Sequence, residues 1–364
     1  MYIHEQPEWP SFARQDDRLI VPLARVRQLH GRLLGKLDAL GFAPLEETSL
    51  ENLTQDVIRS TEIEGERLDA LQVRSSVARR LGVAIPESVA ASREVEGMVD
   101  LTMDAILHCH KPLTRKRLMD WQVALFPEGR SGLYRIRTGK WRDDSKGPMQ
   151  VVSGGWGRER VHFQAPEADR IAGEMRRFLS WLEAESDDDP ILKAAIAHLW
   201  FLTIHPFDDG NGRLARALTD LLLARMDGKG VRFYSLSAAI MAERNEYYKV
   251  LEFTQAGSLD ITVWLLWFLG CLEHAMERST RVIDKVLHKH LFWQRHANVS
   301  FNDRHRKVLG LLLEGFEGNL TSGKWAKIAR CSTDTALRDI QFLTEQGILV
   351  RGDAGGRSTG YRLA

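Results

Sequence analysis

The fold turns on the stretch Ile204-His205-Pro206-Phe207-Asp208-Asp209-Gly210-Asn211-Gly212-Arg213-Leu214-Ala215-Arg216. The apolar run before it predicts a core helix ending near Thr203, and apolar spacing after it predicts a second helix from about Arg213 to Met226. The stretch between them is therefore a loop that opens onto a helix N-terminus. Unpaired N–H groups and the macrodipole make such an end a site for anions, and glycines let a ligand approach the backbone. Arg213 and Arg216, three residues apart on one helix face, add cationic forks suited to a polyphosphate. Asp209 offers a hard oxygen ligand for the Mg²⁺ that accompanies phosphates. His205 can take a proton near neutral pH and so activate a hydroxyl nucleophile.

Around this stretch lies a chain of 364 residues, 44% hydrophobic and 27% charged, long enough for two or three domains. Fifty Lys and Arg against forty-nine Asp and Glu leave a net charge of +1, which excludes a uniformly basic nucleic-acid coat and an acidic solvating tail. Cys109, Cys271 and Cys331 are odd in number and far apart, poor material for a disulfide framework, so a reducing, cytoplasmic setting is expected. The first twenty residues lack the basic start and apolar core of a signal peptide. The apolar runs Ile191–Ile204 and Ile261–Leu272 fall short of the ~20 residues that cross a bilayer, so no membrane span is expected.

Towards the N-terminus, Pro7 and Pro10 predict an extended arm over Tyr2–Pro10. Helical periodicity then runs through Leu19–Leu37, Leu50–Ile58, Leu68–Leu81 and Val89–His108. It lapses between Ser131 and Phe163, where Met149–Ser153 and Val161–Gln164 flank a glycine-rich turn and predict a β-hairpin. Helical spacing resumes over Glu167–Glu185, and Asp187-Asp188-Asp189-Pro190 then supplies N-cap carboxylates with proline at the first helical position. Three short helical stretches follow Val299–Asp303: Arg304–Leu313, Lys324–Ala329 and Thr335–Gln346. Two strand-like segments around a glycine-rich loop, Gly352–Gly360, complete the order of a winged helix-turn-helix. From Thr321 on, seven Lys/Arg against four Asp/Glu give 7 − 4 = +3, mildly basic. DNA is a candidate partner of residues 300–364, with Arg338 the obvious base reader and Asp334 and Asp339 expected to repel phosphates.

The central stretch matches H-P-F-x-[DE]-G-N-G-R-x-x-R, the signature of the Fic family, at every specified position, and the resemblance extends from about Val89 to Leu272. It implies a mainly α fold, a Fic-type helical bundle with a β-hairpin flap, flanked by an N-terminal helical region and a C-terminal winged helix. The corresponding domains are 1–88, 89–298 and 299–364, with the flap at about 148–164. Fic enzymes typically transfer AMP from ATP to a protein hydroxyl and release pyrophosphate. On that resemblance His205 is the general base, Asp209 holds Mg²⁺, Gly210, Asn211, Gly212 and Arg213 cradle the phosphates, and Arg216 reaches the γ-phosphate. Gly212 favours adenylyl transfer, because the related Doc kinases carry Lys there. The flap implies a target protein docked by strand addition, with Val152, Ser153 and Gly154 bordering the nucleotide. Tyr247 and Tyr248 resemble the adenine-side pair.

Ser60-Thr61-Glu62-Ile63-Glu64-Gly65 matches the family's inhibitory motif, [ST]-x-x-x-E-[GN], with Ser60, Glu64 and Gly65 in place on a helix expected at about 50–65. Its position before the core implies a class II protein whose Glu64 pairs with Arg216 and displaces the γ-phosphate. In some relatives the same glutamate is implicated in removing AMP, so a de-AMPylase is an alternative. A winged-helix DNA-binding regulator with a nucleotide-sensing core is another. Ile3-His4-Glu5-Gln6-Pro7-Glu8-Trp9-Pro10 resembles the start of an N-terminal domain on some bacterial Fic proteins, implying support of the inhibitory helix and a homodimer. Self-modification is a further expectation.

Overall fold

The helices Pro190–Ile204 and Asn211–Asp227, on either side of the quoted loop, pack on each other at the centre of the larger part of the chain. The computed structural model describes all residues except 39–41, 146, 155–159, 229–231, 314, 317 and 353–358, and for 42–45 the backbone alone. In chain order the described helices begin with α1 (Asp16–Asp38), α2 (Phe42–Ile63), α3 (Ala70–Leu81), α4 (Arg93–Leu107) and α5 (Arg115–Leu125). They continue with α6 (Ala168–Glu183), α7 (Pro190–Ile204), α8 (Asn211–Asp227), α9 (Leu236–Ala242), α10 (Arg244–Gln255) and α11 (Thr262–Arg295). Three antiparallel strand pairs accompany them: β1 (Arg130–Ser131) with β2 (Tyr134–Arg135), β3 (Gln150–Ser153) with β4 (Arg160–Gln164), and β5 (Leu349–Arg351) with β6 (Tyr361–Leu363). The fold is thus mainly α, as expected. Helix α5 and the β1–β2 pair go beyond the periodic segments read from sequence.

Two compact units divide the chain, Met1–Ser279 and Thr280–Ala364. The sequence places its last boundary at Val299–Asp303, whereas this division falls inside α11. The end of α11 goes with the second unit because Phe292 and Trp293 pack on that unit's core.

In the first unit α7 is buried on every face from Ala194 to Ile204, as expected of a helix apolar all round. Its start is set as the sequence predicts: the Asp189 carboxylate accepts from Ile191 N–H at 2.8 Å, with Pro190 in the first turn. Helix α2 lays Leu50, Leu53 and Val57 inward and packs on α9 and α3. Polar ties fix its register: Ser235 donates to the Asp56 carboxylate at 2.5 Å and Asn52 Nδ2 donates to the Phe233 carbonyl at 3.1 Å. The N-terminal arm is not wholly extended, since Ile3–Glu5 makes one 3-10 turn ahead of Pro7. The rings of Tyr2 and His4 stand edge-on to Phe163 of β4 at 5.2 and 5.6 Å, so the arm braces the base of the hairpin.

The second unit holds α12 (Asp303–Leu313), α13 (Ser322–Ala329), α14 (Thr333–Glu345) and the β5–β6 pair around a core that includes Leu309, Trp325, Ile340 and Leu343. Most of the loop expected between the strands lies outside the described residues, as does the turn of the β3–β4 hairpin. One expectation is corrected here. Asp339 does not project from the surface of α14; it is buried and accepts two hydrogen bonds from Arg304, at 2.7 and 2.9 Å. Its charge is therefore neutralised within the unit.

Candidate active site

Helix α7 stops because His205 turns left-handed, with φ +51° and ψ 60°. A non-glycine residue holds that conformation only where its surroundings fix it, and here a buried guanidinium does so. Arg142 Nε donates to the His205 carbonyl at 2.8 Å, Nη1 bonds Asp144 at 2.8 Å, Nη2 bonds the Pro166 carbonyl, and the backbone N–H of Arg142 meets the Pro206 carbonyl at 3.0 Å. Buried Phe207 lies against Trp141, and the Asp208 carboxylate accepts from Arg137 N–H at 2.8 Å. Asn211 closes the loop, accepting from Phe207 N–H at 3.1 Å and donating to its carbonyl at 2.8 Å. Its side chain shapes the loop, so only its backbone is left to face a ligand. Gly210, at φ +86°, precedes the first residue of α8, and a Cβ there would come within 2.8 Å of the Phe126 ring.

The start of α8 carries the cationic groups. Arg213 donates to Glu66 at 2.9 Å and lies over the Phe126 ring at 4.9 Å. Arg216, with 1% of its side chain exposed, donates from Nε to the Ser60 hydroxyl at 2.8 Å and from Nη2 to the Ser60 carbonyl and Glu64 Oε1, both at 2.7 Å. Burial acts to lower its pKa, but Glu64 together with Tyr247 and Tyr248 raises it overall. Two buried donors, Arg213 Nε and Arg216 Nη1, have no hydrogen-bond partner among the described residues. A Cβ placed on Gly212 would lie 2.0 Å from Glu64 Oε1, so the glutamate carboxylate rests directly on the glycine backbone. Beyond Glu64 the chain leaves α2 through Gly65 at φ +89°. Arg244 Nε and the Tyr248 hydroxyl both donate to the Ile63 carbonyl, at 2.7 and 3.2 Å, and so hold the end of α2.

His205, Glu64, Gly212, Val152, Ser153, Tyr247 and Tyr248 line one cavity of about 590 Å³. The other expected residues, Ser60, Gly65, Gly154, Asp209, Gly210, Asn211 and Arg216, are not on its wall, and Arg213 with Ser131 lines a neighbouring cavity of about 580 Å³. Asp209 accepts from the Ser131 hydroxyl and, at 2.5 Å, from Gly210 N–H. Tyr247 is buried and its hydroxyl is bonded to His198 Nε2 at 3.0 Å, so its hydroxyl is engaged in the core. The His205 pKa is lowered to about 4, by burial first and Arg142 second, which leaves the imidazole neutral at pH 7. Its Nδ1 faces the Leu202 carbonyl at 3.3 Å. With the proton on Nδ1, Nε2 is the free acceptor. Sequence reasoning passed over Arg142, Ser131, His162 and Glu252, whose roles depend on contacts with distant segments.

A helical bundle with an anion-binding loop between two buried helices and a β-hairpin at the rim of the same cavity is the Fic fold. The chain carries a Fic domain: residues 112–223 match the Fic/DOC family, and residues 2–83 match a domain of unknown function, DUF4172. The chain is 29% identical over 240 residues to protein adenylyltransferase Fic of Drosophila grimshawi, covering 65% of this chain and 44% of that protein. It is 26% identical over 273 residues to the protein of the same name from Nematostella vectensis, covering 70% and 57%. The chain thus spans about half the length of the curated relatives it matches. In fold it is similar to a Fic family protein from Desulfovibrio desulfuricans G20, with TM-score 0.56 and 22% identity over 95% of this chain and 96% of that one. It is also similar to a Fic domain containing signaling protein from Bacteroides thetaiotaomicron, with TM-score 0.54 and 20% identity over 72% and 96%. No helix among the described residues is long and apolar enough to cross a membrane.

Proposed function

We propose that the chain is a self-inhibited protein adenylyltransferase that moves AMP from ATP to a hydroxyl of a target protein. The observation that carries this reading is the Glu64 carboxylate seated on Gly212 and bonded to Arg216: an anion already rests where the loop is built to receive one. The two unpartnered buried donors, Arg213 Nε and Arg216 Nη1, fit the phosphates of ATP. Asp209 is a single carboxylate beside the loop, which suits Mg²⁺ held otherwise by phosphates and water. When bound, the metal would neutralise phosphate charge.

In the reaction His205 Nε2 takes the proton of the target hydroxyl. That oxygen bonds to the α-phosphorus, the bond from the α-phosphorus to the bridging β-oxygen breaks, and pyrophosphate leaves. Arg213 and the first N–H groups of α8 hold the charge that shifts towards the leaving group. Glu64 opposes this by occupying Arg216, which would otherwise bind the γ-phosphate. The names of the relatives support the reaction class.

The test is transfer to lysate proteins by the Glu64→Gly variant, with ATP labelled at either the α- or the γ-phosphate. The expected result is label from the α-position alone, with the mass of one adenylyl group on the acceptor, lost when His205→Ala is added. Label from the γ-position alone would instead assign phosphorylation, and equal transfer without His205 would remove the general base.

A further inference from the structure

The flap carries a second hydrogen-bonded acid–base unit that the reaction above does not use. Ser153 Oγ lies 2.5 Å from His162 Nε2, and His162 Nδ1 lies 2.7 Å from Glu252 Oε2 on α10. Arg160, on the same strand as His162, donates to the other Glu252 oxygen at 2.7 Å. The hairpin register explains how His162 comes to face Ser153. Val151 pairs with Phe163 and Val152 with Val161, so His162 is the extra residue of a β-bulge. Bulges beside active sites commonly re-aim a side chain. Ser153, His162 and Glu252 all line the cavity that holds His205 and Gly212, and Ser153 is exposed.

The chemistry of the unit follows from its order. Glu252, held by Arg160, accepts from Nδ1–H and so fixes the tautomer that leaves Nε2 as acceptor. Its pKa is lowered because bonds from His162 and Arg160 outweigh desolvation. A serine whose hydroxyl donates to such an imidazole has an adjacent base for its proton. The only phosphoryl donor that the proposed reaction brings to this cavity is ATP.

We propose that Ser153 is the chain's own adenylylation site, with His162 as its base and Glu252 as the residue that orients the base. This rests on the adenylyltransferase reading. Ser153 Oγ bonds to the α-phosphorus of ATP, its proton passes to His162 Nε2, the bond from the α-phosphorus to the β-bridging oxygen breaks, and pyrophosphate leaves. An adenylyl group on Ser153 would then stand at the flap edge that a target strand must use.

The experiment uses the full chain carrying Glu64→Gly, with Mg²⁺ and α-labelled ATP, followed by peptide mapping by mass spectrometry. The adenylyl group is expected on Ser153. The fraction modified at a fixed time is expected to stay constant on about hundredfold dilution, as for an intrachain reaction. Self-label should fall at least about tenfold in Ser153→Ala, survive in Ser153→Thr, and fall about a hundredfold in His162→Asn, the size of a lost general base. Label at Ser153 should persist when His205→Ala is added. Self-label mapped to another residue, or undiminished in Ser153→Ala, overturns this proposal while leaving the adenylyltransferase reading intact. Absence of α-label on any protein, the chain or a target, overturns both.

Discussion

Replacing Glu64 by glycine should tighten ATP binding by an amount set by one charged hydrogen bond. In the structure Arg216 Nη2 and Glu64 Oε1 are 2.7 Å apart, and Arg216 is almost wholly buried while 30% of the Glu64 side chain is exposed. On the proposed function the γ-phosphate takes the place of this carboxylate on Arg216 Nη2. Hydrogen bonds between charged groups contribute about 1.5–3 kcal/mol, and each 1.4 kcal/mol is about tenfold in affinity, so the expected gain is about 10- to 150-fold. Glu64→Gln keeps the volume and one neutral bond to Arg216, so its gain should be smaller, giving the affinity order Gly, Gln, Glu. Fold stability should move the other way. Arg216 retains the Ser60 hydroxyl and carbonyl, so losing Glu64 should cost roughly 1–3 kcal/mol of unfolding free energy. Isothermal titration with a non-hydrolysable ATP analogue and Mg²⁺, alongside denaturant melts, reads both quantities. If the wild-type and Glu64→Gly chains bind the analogue within about threefold of each other, under about 0.7 kcal/mol, Glu64 does not compete with the nucleotide and the reasoning fails.

Three further outcomes follow from the same contacts. Gly212→Ala in the Glu64→Gly background should weaken analogue binding at least about tenfold, because its Cβ crowds Arg216 Nη1 at 3.2 Å and occupies the phosphate's approach; unchanged affinity would show that no phosphate comes so close. Arg142→Met should lower unfolding stability by about 3–5 kcal/mol, since buried carbonyls and Asp144 lose their donor; a midpoint shift worth less than about 1 kcal/mol would show that the loop holds without it. For pH, the His205 pKa lies below its ordinary value, at about 4, so the free enzyme keeps a neutral base from pH 9 down through 6.5. The profile of kcat/KM for ATP in the Glu64→Gly variant should therefore show no acidic limb near 6.5, and Glu64, which raises that pKa, is absent from it; a limb centred there would place the base elsewhere.

The centre of this protein was legible because its signals are local. The apolar run of α7, the Asp189–Pro190 start and the glycines at 210 and 212 each act within a few residues of their own position, and the motif names its chemistry by residue type. Glu64 was singled out through a short motif, and in the structure its carboxylate lies against Gly212. What escaped depends on pairing between distant segments. Nothing in Lys140-Trp141-Arg142 announces a guanidinium that reaches the carbonyl of His205, and nothing in Val161-His162-Phe163 tells a regular strand from a bulge until its partner is known. Asp339 reads as a surface acid on α14 because the sequence does not place Arg304 beside it. The tyrosine pair divides the same way: its position at the cavity was foreseen, whereas the use of one hydroxyl on His198 and the other on the end of α2 was not.

On the proposed function, the attachment of Glu64 to the same polypeptide as Arg216 has a kinetic consequence. A competitor tethered to its own site acts at an effective concentration of order millimolar or more, whatever the dilution of the protein. Neither lowering the amount of enzyme nor modestly raising ATP would release it. A releasing signal would have to act on the tether, by loosening the grip of Arg244 and Tyr248 on Ile63 or the seat of Asp56 on Ser235. Arg244 and Tyr248 line the substrate cavity itself, whereas Asp56 and Ser235 are not on its wall, so the seat of Asp56 is the contact that a molecule other than the substrate could address.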